Sequence, residues 1–484
     1  LSNDSLHFIL NLDRKRFDKG GLDKVSSKTS QGTRIRFQVC RMDLTFHIGI
    51  DDTDSPRMGC TTYVAALLVG RLQDLGCRFT DYPNIVRLNP NIPWKTRGNA
   101  AVCLRLLCRE TSIDSVKEAT LSIVKENSDL TYDKTDPAIA FLEGDVPAEL
   151  SDFSKKVIQD IASVAEAKRL AAKFNIEFNL IRGERGLIGA LAAIGETLQG
   201  DHTYEIIAYR TLENRGSKRR VDERSVIQMD SKTNPLTFNN YDYESKRVLI
   251  TPHGLDPILY GIRGENPEAL LQAQNMLTVD EEVERWVIFR TNHGTDSHLR
   301  RIGSVSQARP FRPVVVQGRV AARPRTVTGR HVIFSIKDDT GRIDAAAYEP
   351  TGSFRKAVKG LIEDDIVEVY GGVRKGSVAY PRTVNLEKIR ILKLAEHMVL
   401  ENPRCPKCGR RMESAGREQG FRCRRCKLDM RDAKKVHVTL GRTVKETLYI
   451  PPARAHRHLT KPLSRYGREK TNAPKSMIEN WHSP

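Results

Sequence analysis

Leu44-Thr-Phe-His-Ile-Gly-Ile50, followed at once by Asp51-Asp52-Thr53-Asp54-Ser55-Pro56, decides how the first half of this chain is read. A β-prone apolar run stops on a carboxylate-rich loop, and from 61 to 75 apolar residues return at helical spacing. Strand, acidic loop and helix therefore follow one another, with Thr61 and Thr62 opening the helix. Asp51, Asp52 and Asp54 repel one another unless a cation or hydrogen-bond donors neutralise them. Magnesium carrying nucleotide phosphates does this, because it takes one or two carboxylates together with phosphate oxygens. An acidic turn capping the next helix is the plain structural alternative. Thr61 and Thr62 divide in the same way, between hydroxyl caps and a helix N-terminus that welcomes phosphate. No G-x4-G-K-[ST] occurs, so a nucleotide site here is not a Walker P-loop.

Further along, 155–173 carries helical spacing through Val157, Ile158, Ile161 and Ala165. Strand-like and helical stretches then alternate: 176–181 strand, 187–198 helix, 203–210 strand, a basic polar insertion from Asn214 to Arg224, 247–252 strand, 266–277 helix and 285–290 strand. That order is βαββαβ, a ferredoxin-like unit, with 225–230 competing for the third strand. From 313 the chain changes to short β-runs at 313–320, 330–337, 342–348, 365–373 and 378–392, with a helix at 350–360. Five strands with a helix at that point suggest an OB-fold barrel, a common oligonucleotide binder.

Cys405-Pro-Lys-Cys408 and Cys423-Arg-Arg-Cys426 are two C-x2-C knuckles separated by 14 residues, a spacing that sets four thiolates around one zinc. All four ligands are sulfur, so the site is expected to be structural. Lys407, Arg410, Arg411, Arg422, Arg424, Arg425 and Lys427 surround the knuckles and suit phosphate contacts, which set affinity but read no bases.

Length and charge agree with this division. A chain of 484 residues is long enough for three or four domains. The net charge is +19, yet residues 301–484 hold 39 Lys/Arg against 18 Asp/Glu while residues 1–300 hold 40 against 42. A neutral body joined to a basic half points to a catalytic part and a polyanion-binding part, against the bland reading of a basic surface that aids solubility. No apolar run approaches the roughly 20 residues that cross a bilayer, and no secretory signal is seen. Nine scattered or knuckle cysteines suit a reducing cytoplasm.

Two loops complete the candidates. Asn91-Ile-Pro-Trp94-Lys95-Thr96-Arg97-Gly98-Asn99 offers Lys95 and Arg97 to phosphate, against an ordinary surface turn. His253-Gly254-Leu255-Asp256-Pro257 through Gly261-Ile262-Arg263-Gly264 offers a wall for a small cationic substrate, with Asp256 as counter-charge and Arg263 beside it.

The run GIDDTDSPRMGCTT, the segments NIPWKTRGNAA and HGLDPILYGIRGENP, the OB strands and the CPKC…CRRC ribbon together resemble the archaeal tRNA(Ile) 2-agmatinylcytidine synthetases, over roughly 42–465. The resemblance implies a multidomain α+β protein: an N-terminal extension over 1–41, expected to be disordered; a kinase-like ATP domain over 42–175; a ferredoxin-like domain over 176–298; an OB domain over 299–397; a zinc ribbon over 400–432; and a basic tail over 433–484. It implies ATP-dependent replacement of the C2 oxygen of the wobble cytidine by agmatine, in the CAU anticodon of tRNA(Ile). Asp51, Asp52 and Asp54 would bind magnesium-ATP, and the threonine that the family autophosphorylates falls on Thr61. The loop here reads Met58-Gly59, the reverse of the family order. A non-catalytic single-strand binder built from OB fold and ribbon, and a metabolite kinase that meets RNA incidentally, remain the alternative readings. The sequence leaves the oligomeric state and the agmatine pocket open.

Overall fold

A computed structural model describes residues 22–28, 34–40, 43–96, 98–378 and 380–483. The first half runs β1 (Asp43–Asp51), α1 (Thr61–Asp74), β2 (Asn84–Arg87), β3 (Ala100–Arg109), α2 (Ile113–Glu126), β4 (Ala138–Glu143), α3 (Ala148–Gln159), α4 (Val164–Lys173), β5 (Glu177–Leu180) and α5 (Gly186–Gly195). β1 lies between β3 and β4, antiparallel to both. Phe46, Ile48 and Ile50 on one of its faces join a core shared with α1. On the other face, a Cβ on Gly49 would fall 2.1 Å from the Ala190 carbonyl, so glycine lets α5 lie directly on the strand.

The helix expected over 155–173 is two helices. Asp160 is extended at φ −146° and ψ −162°, and Ser163 starts α4 by accepting from Glu166 N. Apolar spacing continues across the break, but a Ser-x-x-Glu start signal overrides it.

The ferredoxin-like order is present one step later than the sequence suggested. It is β6 (Thr203–Arg210), α6 (Glu223–Thr233), the short strand Thr237–Phe238, β7 (Ile258–Gly264), α7 (Pro267–Gln274) and β8 (Val283–Thr291). The strand read at 176–181 is β5, which pairs with β4 at the far edge of the sheet. Residues 225–230 are helical within α6, where Asp222 caps by accepting from Ser225 N. Of 247–252 only Arg247–Val248 forms a ladder, with Tyr241–Asp242, so the third strand is β7. β8 runs parallel to β2 at Arg290–Asn84 and Thr291–Ile85, which fuses both units into a ten-stranded sheet.

The OB expectation holds. Pro313–Val327, His331–Asp338, Gly341–Ala347, Ile366–Arg374 and Thr383–Lys393 close a barrel through pairing of the first with the fourth, and the helix Phe354–Lys359 precedes that fourth strand. Within the extension, Leu22–Lys28 and Arg34–Cys40 pair as an antiparallel hairpin separate from the other sheets. The rest of 1–41 lies outside the described residues.

The C-terminal stretch differs most from its expected basic tail. Val436–Thr439 pairs with Met398–Glu401 beside the ribbon, and Leu448–Tyr449 joins the barrel. Residues 450–483 then strap back across the first two units. Trp481 is buried against Phe79 and Tyr82, and its carbonyl accepts from Ile288 N at 2.8 Å. Among the described residues no helix is long and apolar enough to cross a membrane.

Candidate active site

Where β1 ends, Asp51, Asp52 and Asp54 open into a cleft of about 380 Å³ between the two fused units. Thr61 and Lys95 line its near wall, Asp256 and Arg263 its far wall. The structure thus gathers every described residue of the non-zinc candidate set. Arg97 lies outside the described residues.

Asp52 sits at φ +59°, a left-handed conformation that Asp tolerates and that a functional turn justifies. Its Oδ1 accepts from Thr96 Oγ1 at 3.0 Å and its Oδ2 from Asp136 N at 3.1 Å. Asp51 lies against Gly189 of α5, where a Cβ would come within 1.8 Å of Oδ2. Burial, and then the neighbouring Asp52 and Asp54 charges, raise the Asp51 carboxyl well above its usual range. Burial pushes Asp52 to about 6, with Asp54 and Asp136 adding to it and the two hydrogen bonds opposing. Paired carboxylates held so reluctantly ionised are what a bound cation relieves.

The loop behind them is rigidly tied. Ser55 Oγ donates to Asp129 Oδ2 at 2.6 Å and Arg57 Nη2 lies 3.1 Å from the same oxygen. The Ser55 hydrogen bond, helped by Thr131 and Arg57, holds Asp129 down at about 2. Gly59 adopts φ +84°, and a Cβ there would lie 2.7 Å from the Thr53 carbonyl. The turn therefore needs glycine at 59 rather than 58, which accounts for the Met58-Gly59 order. Cys60 is the N-cap of α1 and makes no side-chain capping bond. Thr61 is inside the helix rather than capping it. Its Oγ1 lies 3.0 Å from Thr53 Oγ1, at the positive end of a 14-residue helix facing the cleft.

Opposite the carboxylates lies a charged network in which the sequence reading had Arg263 and Lys95 but missed Glu205, Arg87 and His293. Glu205 of β6 is at its centre: Arg263 Nε lies 3.1 Å from Oε1 and His293 Nδ1 lies 2.9 Å from Oε2. Despite its burial, Arg263, His293 and Arg87 hold the Glu205 carboxyl well below the usual range. Arg87 Nε donates to His293 Nε2. Burial lowers Arg87 to about 10 and His293 to about 3. Lys95 is lowered by burial and then by the Arg457 and Arg87 charges. A carboxylate inside Thr-Tyr-Glu-Ile-Ile-Ala-Tyr-Arg, an otherwise apolar strand, was the readable signal for Glu205. Arg87 and His293 had none. Asp256 faces the cleft, but its Oδ1 already accepts from Arg219 Nη2 at 3.2 Å.

The metal site is separate. One sulfur from each of Cys405, Cys408, Cys423 and Cys426 falls within 4.8 Å of the others, and Met412 and Phe421 supply a small core beneath them. A set of four convergent thiols with no other ligand type fits tetrahedral zinc. The seven cations around the knuckles are all exposed.

Family models match along most of the chain: a TiaS TCKD domain at 47–181, a TiaS FLD domain at 184–298, an OB-fold nucleic acid binding domain at 314–392 and a TiaS C-terminal zinc ribbon domain at 402–444. The isoleucine-tRNA 2-agmatinylcytidine synthetase TiaS of Methanocaldococcus jannaschii is 43% identical over 86% of this chain and 97% of its own length. That of Pyrococcus horikoshii is 42% identical over 87% and 97%. Two crystal structures of TiaS complexes each cover 87% of this chain and 97% of theirs. One holds the isoleucine tRNA and ATP, at TM-score 0.79 and 40% identity. The other holds that tRNA with AMPCPP and agmatine, at TM-score 0.77 and 38% identity.

Proposed function

The chain belongs to the tRNA(Ile) 2-agmatinylcytidine synthetase family, and from that premise we propose that it joins agmatine to C2 of the wobble cytidine in the CAU anticodon of tRNA(Ile), at the expense of ATP. It is an ATP-dependent carbon–nitrogen ligase. The observation that carries this reading to the residues is the convergence of Asp51, Asp52, Asp54, Thr61 and Lys95 in one cleft whose far wall is polar and charged.

The chemistry follows from leaving-group ability. The C2 oxygen of cytosine is a very poor leaving group. A phosphoryl group moved from ATP to that oxygen lets it depart as phosphate, once the primary amine of agmatine has added to C2 and lost its proton. Phosphoryl transfer is catalysed mainly by positioning and charge neutralisation. Asp51, Asp52 and Asp54 would hold magnesium, which supplies neutralising charge to the triphosphate. The helix end at Thr61 and the Lys95 side chain would receive phosphate oxygens, Arg97 is assigned the same role from its sequence position alone, and Thr61 would be the autophosphorylated hydroxyl. Asp256 forms the agmatine side, with Arg263 at its border held by Glu205, and an agmatine guanidinium would share the Asp256 carboxylate with Arg219. The wobble base must leave its stack to enter the cleft, which suits a separate RNA grip by OB fold and ribbon. The reduced cysteines and the tRNA substrate support a cytoplasmic enzyme.

A non-catalytic single-strand binder would leave the cleft without purpose. Labelled agmatine incubated with the protein, ATP and a CAU-anticodon tRNA should become RNA-bound. Asp52→Asn and Thr61→Ala should each abolish incorporation while tRNA binding stays near wild type. Full activity in both variants would refute the site assignment.

A further inference from the structure

The strap returning from the ribbon carries His458 into the cleft, and nothing in the chemistry above gives it a role. The segment is held firmly. Gly294 N donates to the His458 carbonyl and Asp296 N to the Leu459 carbonyl, both at 2.8 Å, and Lys461 N donates to Asp296 Oδ1 at 2.7 Å. A few residues on, Arg465 is fully buried between Asp201 and Glu265. One residue earlier, Arg457 Nη1 donates to Asn91 Oδ1 at 2.8 Å, which ties the strap to the loop bearing Lys95.

The imidazole itself has a defined polarity. It stacks on His293 at 5.2 Å between centroids and 28° between planes. Arg263 Nη2 approaches its Nδ1 at 2.9 Å. A guanidinium only donates, so Nδ1 accepts and the proton of the neutral ring resides on Nε2. That nitrogen faces the 91–99 loop, where a Cβ on Gly98 would lie 3.5 Å from it. The cleft walls, and then the Arg87 and Arg263 charges, hold the imidazole below its usual range, which keeps it neutral. The N–H therefore sits beside Gly98, in a cleft that Arg87, Arg263 and Lys95 also line, surroundings that select an anionic oxygen.

We propose that His458 is a phosphate-binding residue of the cleft, delivered by the C-terminal strap, whose Nε2–H donates to a phosphate oxygen. The assignment rests on the ATP and tRNA reading above. It makes the segment after the zinc ribbon part of the catalytic cleft. The phosphate belongs either to ATP or to the tRNA backbone beside the wobble base, and the two are separated by measuring each ligand alone.

His458→Phe keeps a ring on His293 but removes the N–H, and His458→Gln restores a donor. Magnesium-ATP affinity without tRNA, tRNA affinity without ATP, thermal midpoint and agmatine incorporation are measured on the full-length protein. Loss of a hydrogen bond to a charged group should weaken one ligand roughly tenfold or more in the Phe variant, with an unchanged midpoint and recovery in the Gln variant. Weakened ATP alone identifies the nucleotide phosphate, and weakened tRNA alone the backbone phosphate. The proposal is overturned if the Phe variant binds both ligands as wild type does. Equal weakening in both variants together with a lowered midpoint also overturns it, because the ring would then serve packing alone. Wild-type protein runs in parallel: if it transfers no agmatine to RNA the functional reading fails, whereas an active wild type with normal ligand binding by the Phe variant fails only the His458 assignment.

Discussion

The zinc ribbon and the strap that follows it are comparably basic in sequence but direct their charge oppositely. In the ribbon, Arg424 and Arg425 face solvent, and the Arg424–Glu413 pair is 84% and 53% exposed. In the strap, Arg465 is wholly buried with Asp201 and Glu265, Lys461 pairs with Asp201 and Glu469, Lys470 with Glu265, and Arg454 with Asp242 and Glu244. Exposed pairs contribute about 0–1 kcal/mol and leave their cations available to a polyanion. Buried pairs leave nothing available, and removing one partner strands the other. Charge counted along a chain therefore overstates the RNA-facing charge here. The ribbon leaves its cations exposed to a polyanion, whereas the strap uses most of its own to fasten itself to the first two units.

The largest expected break in this comparison is metal removal. Structural zinc contributes about 10–16 kcal/mol in isolated zinc fingers. A chelator should abolish hydrogen-exchange protection around Cys405–Cys426 while the strap and the ten-stranded sheet keep theirs. Equal loss in both regions would mean the strap depends on the ribbon. Next comes Arg465→Met, which leaves Asp201 and Glu265 in a buried site with only Lys461 and Lys470. Urea denaturation should show a loss of about 3 kcal/mol, at the lower end for a broken buried pair because those lysines remain. A smaller effect on stability is expected for Arg424→Gln with Arg425→Gln, within about 0.5 kcal/mol. Its signature is elsewhere: the salt dependence of tRNA binding should flatten by about 0.7 per lost contact to single-stranded phosphate.

The cleft extends the comparison to charges whose partner is a ligand. Burial pushes the Asp52 carboxyl up to about 6 in the folded protein, above its usual value near 3.8, so folding disfavours its ionised form and stability falls as pH rises between those values. Magnesium held by Asp52 would have to displace that proton below pH 6. Added magnesium should therefore raise the thermal midpoint by a few degrees at pH 7.5 and by less at pH 5.5. A rise that is the same at both values would place the ion away from Asp52.

How much was readable depended on how local each signal is. The acidic loop, the five barrel strands and the knuckles lie within short windows whose spacing dictates their geometry. The third ferredoxin-like strand was misplaced because 247–252 and 258–264 are both β-prone, and only pairing of Ile262 with Ile206 selects the second. The run over 155–173 kept its apolar period through a break that Ser163 signals more quietly. Asp256 was legible as a carboxylate near the cleft, but not its engagement by Arg219, which comes from a loop 37 residues earlier. Glu205 announced itself faintly as a charge in an apolar strand, whereas Arg87, His293 and His458 gave no pattern to read.

By itself the sequence determined the chemistry of the parts: three carboxylates at a strand end, a hydroxyl two residues after a glycine turn, an oligonucleotide-binding barrel and four thiols at zinc spacing. The loop, the hydroxyl, the single barrel strands and the thiol knuckles each follow from backbone geometry over a few residues, and closure of the barrel then follows from pairing its first strand with its fourth. Only the tertiary structure decided which charges face each other. Glu205, Arg263, His293 and His458 lie in four separate segments, and their contact depends on a shared sheet and a returning strap. Electrostatic partnership acts through space, and no spacing along the chain encodes it.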